Sequence, residues 1–301
     1  MDLAYAGTAR FASLVLDRLL ASAEFTNAHR IVACVTRPDR PRGRHGAPQP
    51  SLLKETALAA SLAVLQPERL DETFADELLS RGVAAFVVCA YGRIVPAALL
   101  ERLETLVVHP SLLPRWRGAA PVQRALMAGE TELGVATLHM TPGVDEGPIG
   151  DLRLVHVPRE ADAGQAYEAL AQPAVEGLMA VLDGLAQGSV EWRPQEGEPT
   201  FAAKIDDADR TIDWRRPARE IADQVRALSP QVGAVAELGA RRTLIWRARP
   251  LDEAPSESES DRLVMATGEG WLEILELQEA GKRRIAAQEY LRGAGRRLVG
   301  P

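Results

Sequence analysis

Cysteine is scarce in this sequence, since only Cys34 and Cys89 occur among 301 residues. Both lie inside strand-like apolar runs, and their spacing does not match a metal-ligand motif. The sequence therefore excludes a disulfide-rich scaffold and a cysteine-based metal centre. Two buried thiols are typical of a protein in a reducing compartment. We expect no bound metal ion.

Long apolar runs and an excess of basic residues are also missing. No apolar run reaches the roughly 18 residues that a membrane span requires, and the first residues enter a strand directly, leaving no room for a signal peptide. The formal net charge of −7 excludes a uniformly basic nucleic-acid-binding surface. Basic and acidic side chains balance over residues 200–301, which fits either an anionic partner or a solvated neutral surface there. We expect a cytoplasmic protein without membrane contact.

The first 185 or so residues alternate short apolar runs with helical patterns. Strands are predicted at residues 3–6, 31–36 and 84–90, and helices at residues 10–21, 51–63, 71–79 and 119–128. This alternation predicts an α/β fold, in which a Rossmann-like parallel sheet carries helices on both faces. A long helix over residues 163–185, kinked or split at Pro173, closes the domain. Gly7 alone follows the first strand, whereas a dinucleotide fingerprint needs three glycines, so NAD is not inferred.

The composition changes after this domain. Residues 188–205 are rich in proline and glycine without apolar periodicity, which predicts a linker between a domain over residues 1–187 and a second over 206–301. In the second domain a helix precedes several short strands separated by turn residues, and the spacing of these strands favours a small β-barrel. The acidic, serine-rich residues 255–261 are predicted to form a mobile loop.

One histidine and one aspartate stand where a pocket is expected. His109 ends a short apolar strand, and a proline-punctuated loop follows it at once. Asp145 lies on a loop flanked by Gly143 and Gly147. Because ligands bind at the carboxyl ends of strands in α/β sheets, the two side chains can meet as a base and its orienting partner. The alternative interpretation is a structural histidine capped by a solvated carboxylate.

The sequences of these segments resemble those of a known family. The runs His109-Pro-Ser-Leu-Leu-Pro114 and Gly143-Val-Asp-Glu-Gly-Pro-Ile149 are similar to the signature of the folate-dependent formyltransferases. The continuation over residues 115–130 is most similar to the methionyl-tRNA formyltransferases within that group. Further segments between residues 201 and 291 match the C-terminal half of these enzymes, so the resemblance runs nearly from end to end.

The resemblance implies a reaction and a partner. The donor would be 10-formyltetrahydrofolate, and the acceptor would be the α-amino group of methionine on initiator tRNA. By position, His109 would lie beside the formyl group and move protons in the tetrahedral intermediate, while Asp145 would orient it. The second domain would be an oligonucleotide-binding (OB)-like barrel that helps to hold tRNA, and the protein would be a monomer.

One position departs from the family signature. Val107 stands where the family has a catalytic asparagine whose side-chain amide donates to the formyl oxygen. Valine has no such donor. Three accounts stay open: an enzyme disabled naturally or by engineering, a slow enzyme that relies on His109 and backbone donors, and a homologue with another task. We predict an intact fold with strongly reduced transfer.

The family resemblance also implies a folate pocket. Residues 86–96 form a buried strand that runs into a turn, which by itself indicates only core and loop. In the family this strand end supplies backbone groups to the pterin ring. We therefore expect the folate at two short segments that follow strands: Ala90, Tyr91, Gly92 and Ile94, and Ser111, Leu112, Leu113 and Pro114.

Two basic clusters are candidates for tRNA binding. A proline- and glycine-rich loop carries Arg40, Arg42 and Arg44, and arginine forks suit phosphate oxygens. In the family a loop here inserts at the end of the acceptor stem. A second patch would comprise Lys282, Arg283 and Arg284, together with Arg241 and Arg242. Either cluster could equally be a set of solvated surface charges.

Two other functions remain open from the sequence. An amino-sugar or nucleotide formyltransferase of the same superfamily would share His109 and Asp145, but it would not need the arginine-rich loop or this C-terminal domain. A catalytically inactive folate- or tRNA-binding homologue would explain Val107. Turnover with charged initiator tRNA separates the inactive homologue from a methionyl-tRNA formyltransferase, and discrimination between tRNA and small amine acceptors separates the amino-sugar or nucleotide enzyme.

Overall fold

Two structural units make up the computed structural model, which describes residues 1–41, 46–239, 241–254 and 262–292. Unit 1 comprises Met1–Pro121, Glu132–His156 and Tyr167–Ala202, and unit 2 comprises Val122–Thr131, Val157–Ala166 and Ala203–Pro301. The strands are β1 (Asp2–Ala6), β2 (Arg30–Val35), β3 (Arg40–Pro41), β4 (Pro48–Gln49), β5 (Val64–Leu65), β6 (Ala85–Cys89), β7 (Glu104–His109), β8 (Arg117–Gly118), β9 (Glu132–His139), β10 (Ile149–His156), β11 (Phe201–Ala202), β12 (Ala234–Leu238), β13 (Arg241–Leu251), β14 (Leu263–Ala266), β15 (Trp271–Glu279) and β16 (Ile285–Ala286). The helices are α1 (Arg10–Ala21), α2 (Ala23–Ala28), α3 (Leu52–Ala59), α4 (Glu72–Ser80), α5 (Ala97–Leu100), α6 (Pro121–Met127), α7 (Ala163–Gln187), α8 (Asp207–Arg210), α9 (Ala218–Leu228) and α10 (Ala287–Arg292).

A seven-stranded sheet in the order β10-β9-β7-β6-β1-β2-β5 organises unit 1. The five strands from β7 to β5 run parallel, which confirms the predicted Rossmann-like sheet. Strand β9 runs antiparallel to β7, β10 runs antiparallel to β9, and these two strands extend the sheet beyond β7. The sheet is therefore mixed at this edge, a feature that the sequence pattern did not indicate.

The central strands form the core because both of their faces are covered. Every residue of β6 is buried, and its valine-rich sequence suits a strand without a solvated face. On one side Phe74 and Leu78 of α4 pack against it in a single apolar cluster. Helix α1 has the bounds that the sequence predicts, while α3 ends at Ala59, four residues earlier than predicted.

The segment predicted as a linker belongs largely to unit 1. Residues 188–202 lie in this unit, and unit 2 takes two short stretches from the first 187 residues, so the units are not contiguous in sequence. Arg193 pairs with Ile149 in an isolated antiparallel bridge, and β11 pairs in parallel with β8. The pairing of β11 with β8 places residues 201–202 along the loop that follows His109, whereas Arg193 lies against the start of β10.

Helix α7 is continuous through Pro173 rather than split. Among the described residues it is the one helix whose length and composition would allow it to cross a membrane. Leu170, Leu178 and Leu182 are fully buried within the protein, as expected for the core helix of a globular fold.

Unit 2 is rich in β-structure, as the sequence predicts. Its main sheet follows the order β12-β13-β15-β14, with β16 paired to β15, and all of these ladders are antiparallel. Helix α9 packs its apolar face on this sheet through Ile221, Val225 and Leu228. The predicted mobile loop over residues 255–261 lies outside the described residues.

The two cysteines are buried and unpaired. Burial raises the pKa of both Cys34 and Cys89 to about 12. Because the thiolate is the reactive form, we expect no labelling of the native protein by a thiol reagent at pH 8, and labelling of both cysteines after unfolding in denaturant. Folding holds both thiols protonated above their ordinary pKa, so their contribution to stability is present below about pH 9 and is lost as the pH rises towards 12. Rapid labelling of the folded protein at pH 8 would contradict the expected protection of both thiols.

Candidate active site

Strand β7 presents Val107 and His109 on the same face of the sheet, because alternate residues of a strand share a face. Val107 is paired laterally with Val88 on one side and Leu138 on the other. His109 is the last residue of β7, and its side chain is almost fully buried. The sheet therefore fixes the two positions side by side.

Both ring nitrogens of His109 face oxygen atoms. Nδ1 lies 3.5 Å from Oδ2 of Asp145, and Nε2 lies 3.0 Å from the backbone carbonyl oxygen of Trp116. The predicted pairing of His109 with Asp145 thus appears in the geometry. The two oxygens fix the rotation of the ring. Because a carbonyl oxygen only accepts, Nε2 can serve as a base only when it turns from the Trp116 carbonyl towards a substrate, with the proton of the neutral ring on Nδ1 facing Asp145.

Asp145 reaches His109 by a route that the sequence did not predict. Because β9 runs antiparallel to β7, the chain leaves β9 away from His109, and the loop over residues 140–148 must fold back. Asp145 adopts a left-handed backbone with φ of 48°. Its Oδ2 accepts a hydrogen bond of 2.8 Å from the backbone N–H of Gly118. That donor orients the carboxylate independently of the histidine.

Strained backbone is concentrated around this pair. Within the described chain, four residues other than glycine have positive φ, namely Ser61, Ala90, Trp116 and Asp145. The last three follow β6 or surround His109. Such conformations cost roughly 1–3 kcal/mol each and persist only where the surroundings impose them, and they are common at functional sites.

Gln195 is a residue that sequence reasoning missed. Its Nε2 donates to the carbonyl oxygens of Asp145, at 2.7 Å, and Gly147, at 2.9 Å. Its Oε1 accepts from Arg117 at 3.0 Å and 2.7 Å. In the same segment the Thr200 hydroxyl accepts from the Trp116 N–H at 2.9 Å. The stretch therefore clamps both loops that meet at His109, and nothing in its local pattern signals this.

Replacing Gln195 with alanine should lower the turnover number by about 10- to 100-fold, because displacing a reacting group by about 1 Å has this order of effect. Gln195→Glu keeps an acceptor for Arg117 but loses the donor to the Asp145 loop, so we expect a similar loss. Gln187→Ala, at an exposed glutamine that ends α7, is the matched control. Steady-state kinetics for the three variants check the prediction. Unchanged turnover in Gln195→Ala would show that the loop holds its position without the clamp.

Val107 lies in an apolar environment. It belongs to a buried cluster with Leu113, Ala136, Leu138 and Ile149 and is 7% exposed. Its side chain offers no hydrogen-bond donor beside His109. Valine is therefore well accommodated by the packing at this position.

The segment after β6 is held by its backbone. Ala90 accepts hydrogen bonds from the N–H groups of Thr8, at 3.2 Å, and Ala9, at 3.4 Å. Tyr91 is 1% exposed inside the apolar core, and burial raises the pKa of its phenol. Its side chain is thus unavailable to a ligand, in agreement with a pocket lined by backbone groups. Ile94 is 89% exposed, an unusual situation for a large apolar side chain that is typical of binding surfaces.

The loop after His109 is held by hydrogen bonds between its own residues. The Ser111 hydroxyl donates to the carbonyl oxygen of Arg115 at 2.7 Å, and the Ser111 N–H donates to the carbonyl oxygen of His109 at 2.9 Å. Leu113 is buried beside Val107, whereas Leu112 and Pro114 are partly exposed. Of the predicted folate-binding residues in this loop, these two are the most accessible.

The predicted tRNA-binding residues differ in their surroundings. Arg40 is exposed in β3, which pairs with β4, while Arg42 and Arg44 lie outside the described residues. The residues of the second cluster form ion pairs within unit 2. Lys282 pairs with Glu279, Arg283 with Glu289, and Arg284 lies 3.7 Å from Glu276 and 4.2 Å from the ring centre of Trp246. These ion pairs reduce the charge available for phosphate, so the second cluster is the weaker candidate.

A base with its orienting carboxylate, at the end of a parallel strand and beside strained loops, can remove a proton from an amine. Within the residues that the structure describes, no group of His, Cys, Asp and Glu side chains could hold a metal ion. A model of the formyl transferase family matches residues 3–182, so the chain is a transferase of this class. The model of its C-terminal domain matches residues 204–295.

Sequence relatives show to which family of formyltransferases the chain belongs. Methionyl-tRNA formyltransferase of Symbiobacterium thermophilum is 38% identical over 98% of this chain and 93% of its own. That of Heliobacterium modesticaldum is 36% identical over 100% of this chain and 98% of its own. The chain belongs to the methionyl-tRNA formyltransferase family.

Solved structures share the fold at low sequence identity. Methionyl-tRNA formyltransferase from Clostridium thermocellum superimposes with a TM-score of 0.60 at 16% identity, over 83% of this chain and 93% of that one. HypX from Aquifex aeolicus in complex with tetrahydrofolic acid gives a TM-score of 0.69 at 19% identity, over 98% of this chain and 47% of that one.

Proposed function

We propose that this protein transfers the formyl group of 10-formyltetrahydrofolate to the α-amino group of methionine on initiator tRNA. The observation that carries the proposal is the His109–Asp145 pair, held at the sheet edge by Gly118 and Gln195 in a chain of this family. His109, Asp145 and the position of Val107 are the proposed catalytic positions.

The reaction needs a proton to be moved. The amine nitrogen attacks the formyl carbon, and the bond between that carbon and N10 of the folate then breaks. Nε2 of His109, once it leaves the Trp116 carbonyl, takes the proton that the amine loses and returns it to N10, so the proton balance closes. Asp145, close to Nδ1, stabilises the positive charge on the ring while it holds the proton.

The folate is proposed to lie between the ends of β6 and β7. Ala90, Tyr91 and Gly92 would contribute backbone groups, and the exposed Ile94 would contribute apolar contact. On the β7 side the accessible Leu112 and Pro114 would form the other wall, together with Ser111 and Leu113. Such a pocket, mostly apolar with a few backbone hydrogen-bonding groups, is typical of small-molecule sites.

The rate that we expect for formyl transfer depends on the residue at position 107. The tetrahedral intermediate carries negative charge on the formyl oxygen, and a missing donor for that charge typically costs about 10²–10³ in turnover. We propose that the protein catalyses the same reaction as its relatives but more slowly, with His109 and backbone N–H groups as the remaining donors.

The choice of acceptor is the decisive test. We would incubate the protein with 10-formyltetrahydrofolate and either methionyl initiator tRNA or a nucleotide-linked amino sugar, and then identify the formylated product by mass spectrometry. The proposal expects product only with the charged tRNA. Formylation of the amino sugar would make it a sugar N-formyltransferase, the activity named for structural neighbours of the same fold. Tetrahydrofolate binding without product from either acceptor would indicate an inactive homologue.

A further inference from the structure

A cavity of about 420 Å³ opens where β2 and β6 end, separate from His109 and Asp145. It is lined by Arg37, Pro38, Arg40, Glu68, Gly92 and Arg93. Three guanidinium groups and one carboxylate give the lining a net charge of about +2 at neutral pH. In a protein whose total charge is −7, such a concave basic site concentrates anions.

The backbone beneath this cavity is rigidly built. The side chain of Gln66 donates to the carbonyl oxygen of Arg37 at 2.8 Å and to Oδ1 of Asp39 at 2.7 Å. Lys54 donates to Oδ2 of Asp39 at 2.7 Å. These hydrogen bonds, that of Lys54 foremost, lower the pKa of Asp39, so its negative charge is matched by Lys54 rather than by the arginines.

Two of the arginines are fixed in different ways. Arg93 donates to the carbonyl oxygens of Pro67, at 2.7 Å, and Glu68, at 2.6 Å, which anchors it to the cavity wall. Arg37 lies directly over Gly92, whose φ is 68°, and a Cβ at that glycine would stand 3.0 Å from its Nη2. Among the described residues the guanidinium of Arg37 has no hydrogen-bond or ion-pair partner. A half-buried guanidinium of this kind is a ready donor for an anion.

We infer that this cavity binds a backbone phosphate at the 3′ end of the acceptor tRNA, with Arg37 as the principal donor. The inference rests on the proposed function. It follows from the strand order β7-β6-β1-β2, because a folate between the ends of β6 and β7 leaves the β1–β2 side of the edge for the second substrate. Arg40, a predicted tRNA-binding residue, lines the same cavity.

The distances are compatible with one substrate. Three strand spacings of about 4.8 Å separate β7, which carries His109, from β2, which leads into Arg37, or roughly 14 Å in all. In methionyl-tRNA eight covalent bonds of about 1.5 Å connect the α-amine to the phosphorus of the terminal nucleotide, a reach on the order of 10 Å. An amine beside the formyl group therefore brings the last phosphates near the cavity.

Equilibrium binding of initiator tRNA tests this without relying on turnover. We would compare the unmodified protein with Arg37→Ala, Arg37→Lys and a control, Arg69→Ala, which removes an exposed arginine outside the cavity lining. Each would be titrated with a full-length transcript and with one that lacks the 3′-terminal CCA. Binding of tetrahydrofolate and of its triglutamate would be measured in parallel.

We expect Arg37→Ala to weaken binding of the full transcript about tenfold or more and to lower the slope of log K against log[salt] by about 0.7. Arg37→Lys should retain part of the affinity, since it keeps the charge and loses the fork. Arg69→Ala should have little effect, and removing CCA should abolish the difference between Arg37→Ala and the unmodified protein.

Three results would overturn the inference. Unchanged tRNA affinity in Arg37→Ala would remove the phosphate site, and weaker binding of the triglutamate alone would assign the cavity to folate carboxylates. A loss that persists without CCA would place the contact elsewhere on the tRNA. If the unmodified protein bound tetrahydrofolate but no tRNA, the proposed function itself would fail, which is a distinct outcome.

Discussion

Replacing His109 with alanine is expected to lower the rate constant of formyl transfer by about 10²–10⁴, the usual contribution of a positioned acid–base group. The side chain is almost fully buried, and the groups at its two nitrogens are the Asp145 carboxylate and the Trp116 carbonyl oxygen. The carbonyl cannot accept and return a proton, and Asp145 lies behind the ring, so neither replaces the imidazole. Asp145→Asn should give a large loss as well, since the amide cannot stabilise a charged ring although it can still accept from the Gly118 N–H.

The control for this prediction is another histidine. His156 is exposed at the end of β10 and lies 3.6 Å from Glu132, far along the sheet edge strand, so His156→Ala should leave the rate unchanged. Loss of the His109 ring removes its hydrogen bond to the Trp116 carbonyl, and we expect a stability cost of about 0.5–1.5 kcal/mol. Thermal melts therefore accompany the kinetics. A folded His109→Ala variant with normal transfer would contradict the assigned role.

Replacing Val107 with asparagine is expected to raise the rate constant by about 10²–10³, because it supplies a donor for the formyl oxygen beside His109. The gain should come with a loss of stability. Asparagine would place an amide among Leu113, Leu138 and Ile149, and burial of a polar group that is not fully hydrogen-bonded costs about 1–3 kcal/mol.

Val107→Ala separates the two effects of this substitution. It relieves packing at the same position without adding a donor, so it should lower stability and leave the rate near that of the unmodified protein. An equal gain in both variants would mean that space at this position limits the reaction, and the missing-donor account would be wrong.

Much of the fold follows from local patterns in the sequence. Buried strands such as β1 and β6 are continuous apolar runs bounded by turns, and α1 is a regular amphipathic segment, so periodicity locates them. The pairing of His109 with Asp145 was also predictable, because His109 ends a strand and Asp145 lies on a loop after another strand. These features depend on neighbours in sequence, which a pattern records.

Other parts of the site depend on how the chain folds back. The direction of β9 is decided by its pairing with β7, and it alters the path by which Asp145 reaches His109. Gln195 sits in a proline- and glycine-rich stretch that predicts a linker, yet its amide spans about fifty residues of sequence to hold the Asp145 loop. No periodicity encodes such a contact.

The charge that a basic cluster presents to a ligand is equally hard to predict from the sequence. Lys282 and Arg283 look like a basic cluster in the sequence, but the fold places Glu279 and Glu289 against them. Arg37, in contrast, becomes distinctive only when Lys54 and Gln66 take up the carboxylate of Asp39. Ion pairing within the fold, rather than the count of basic residues, decides which cations can meet an anion.

The most direct test of the catalytic account is a single-turnover measurement of formyl transfer to methionyl initiator tRNA, with the protein in excess and 10-formyltetrahydrofolate saturating. Under these conditions the rate constant reports the chemical step rather than product release. We predict that Val107→Asn is about 10²–10³ faster than the unmodified protein, which in turn is far faster than His109→Ala. Equal rate constants for all three folded proteins would contradict the assignment of this site.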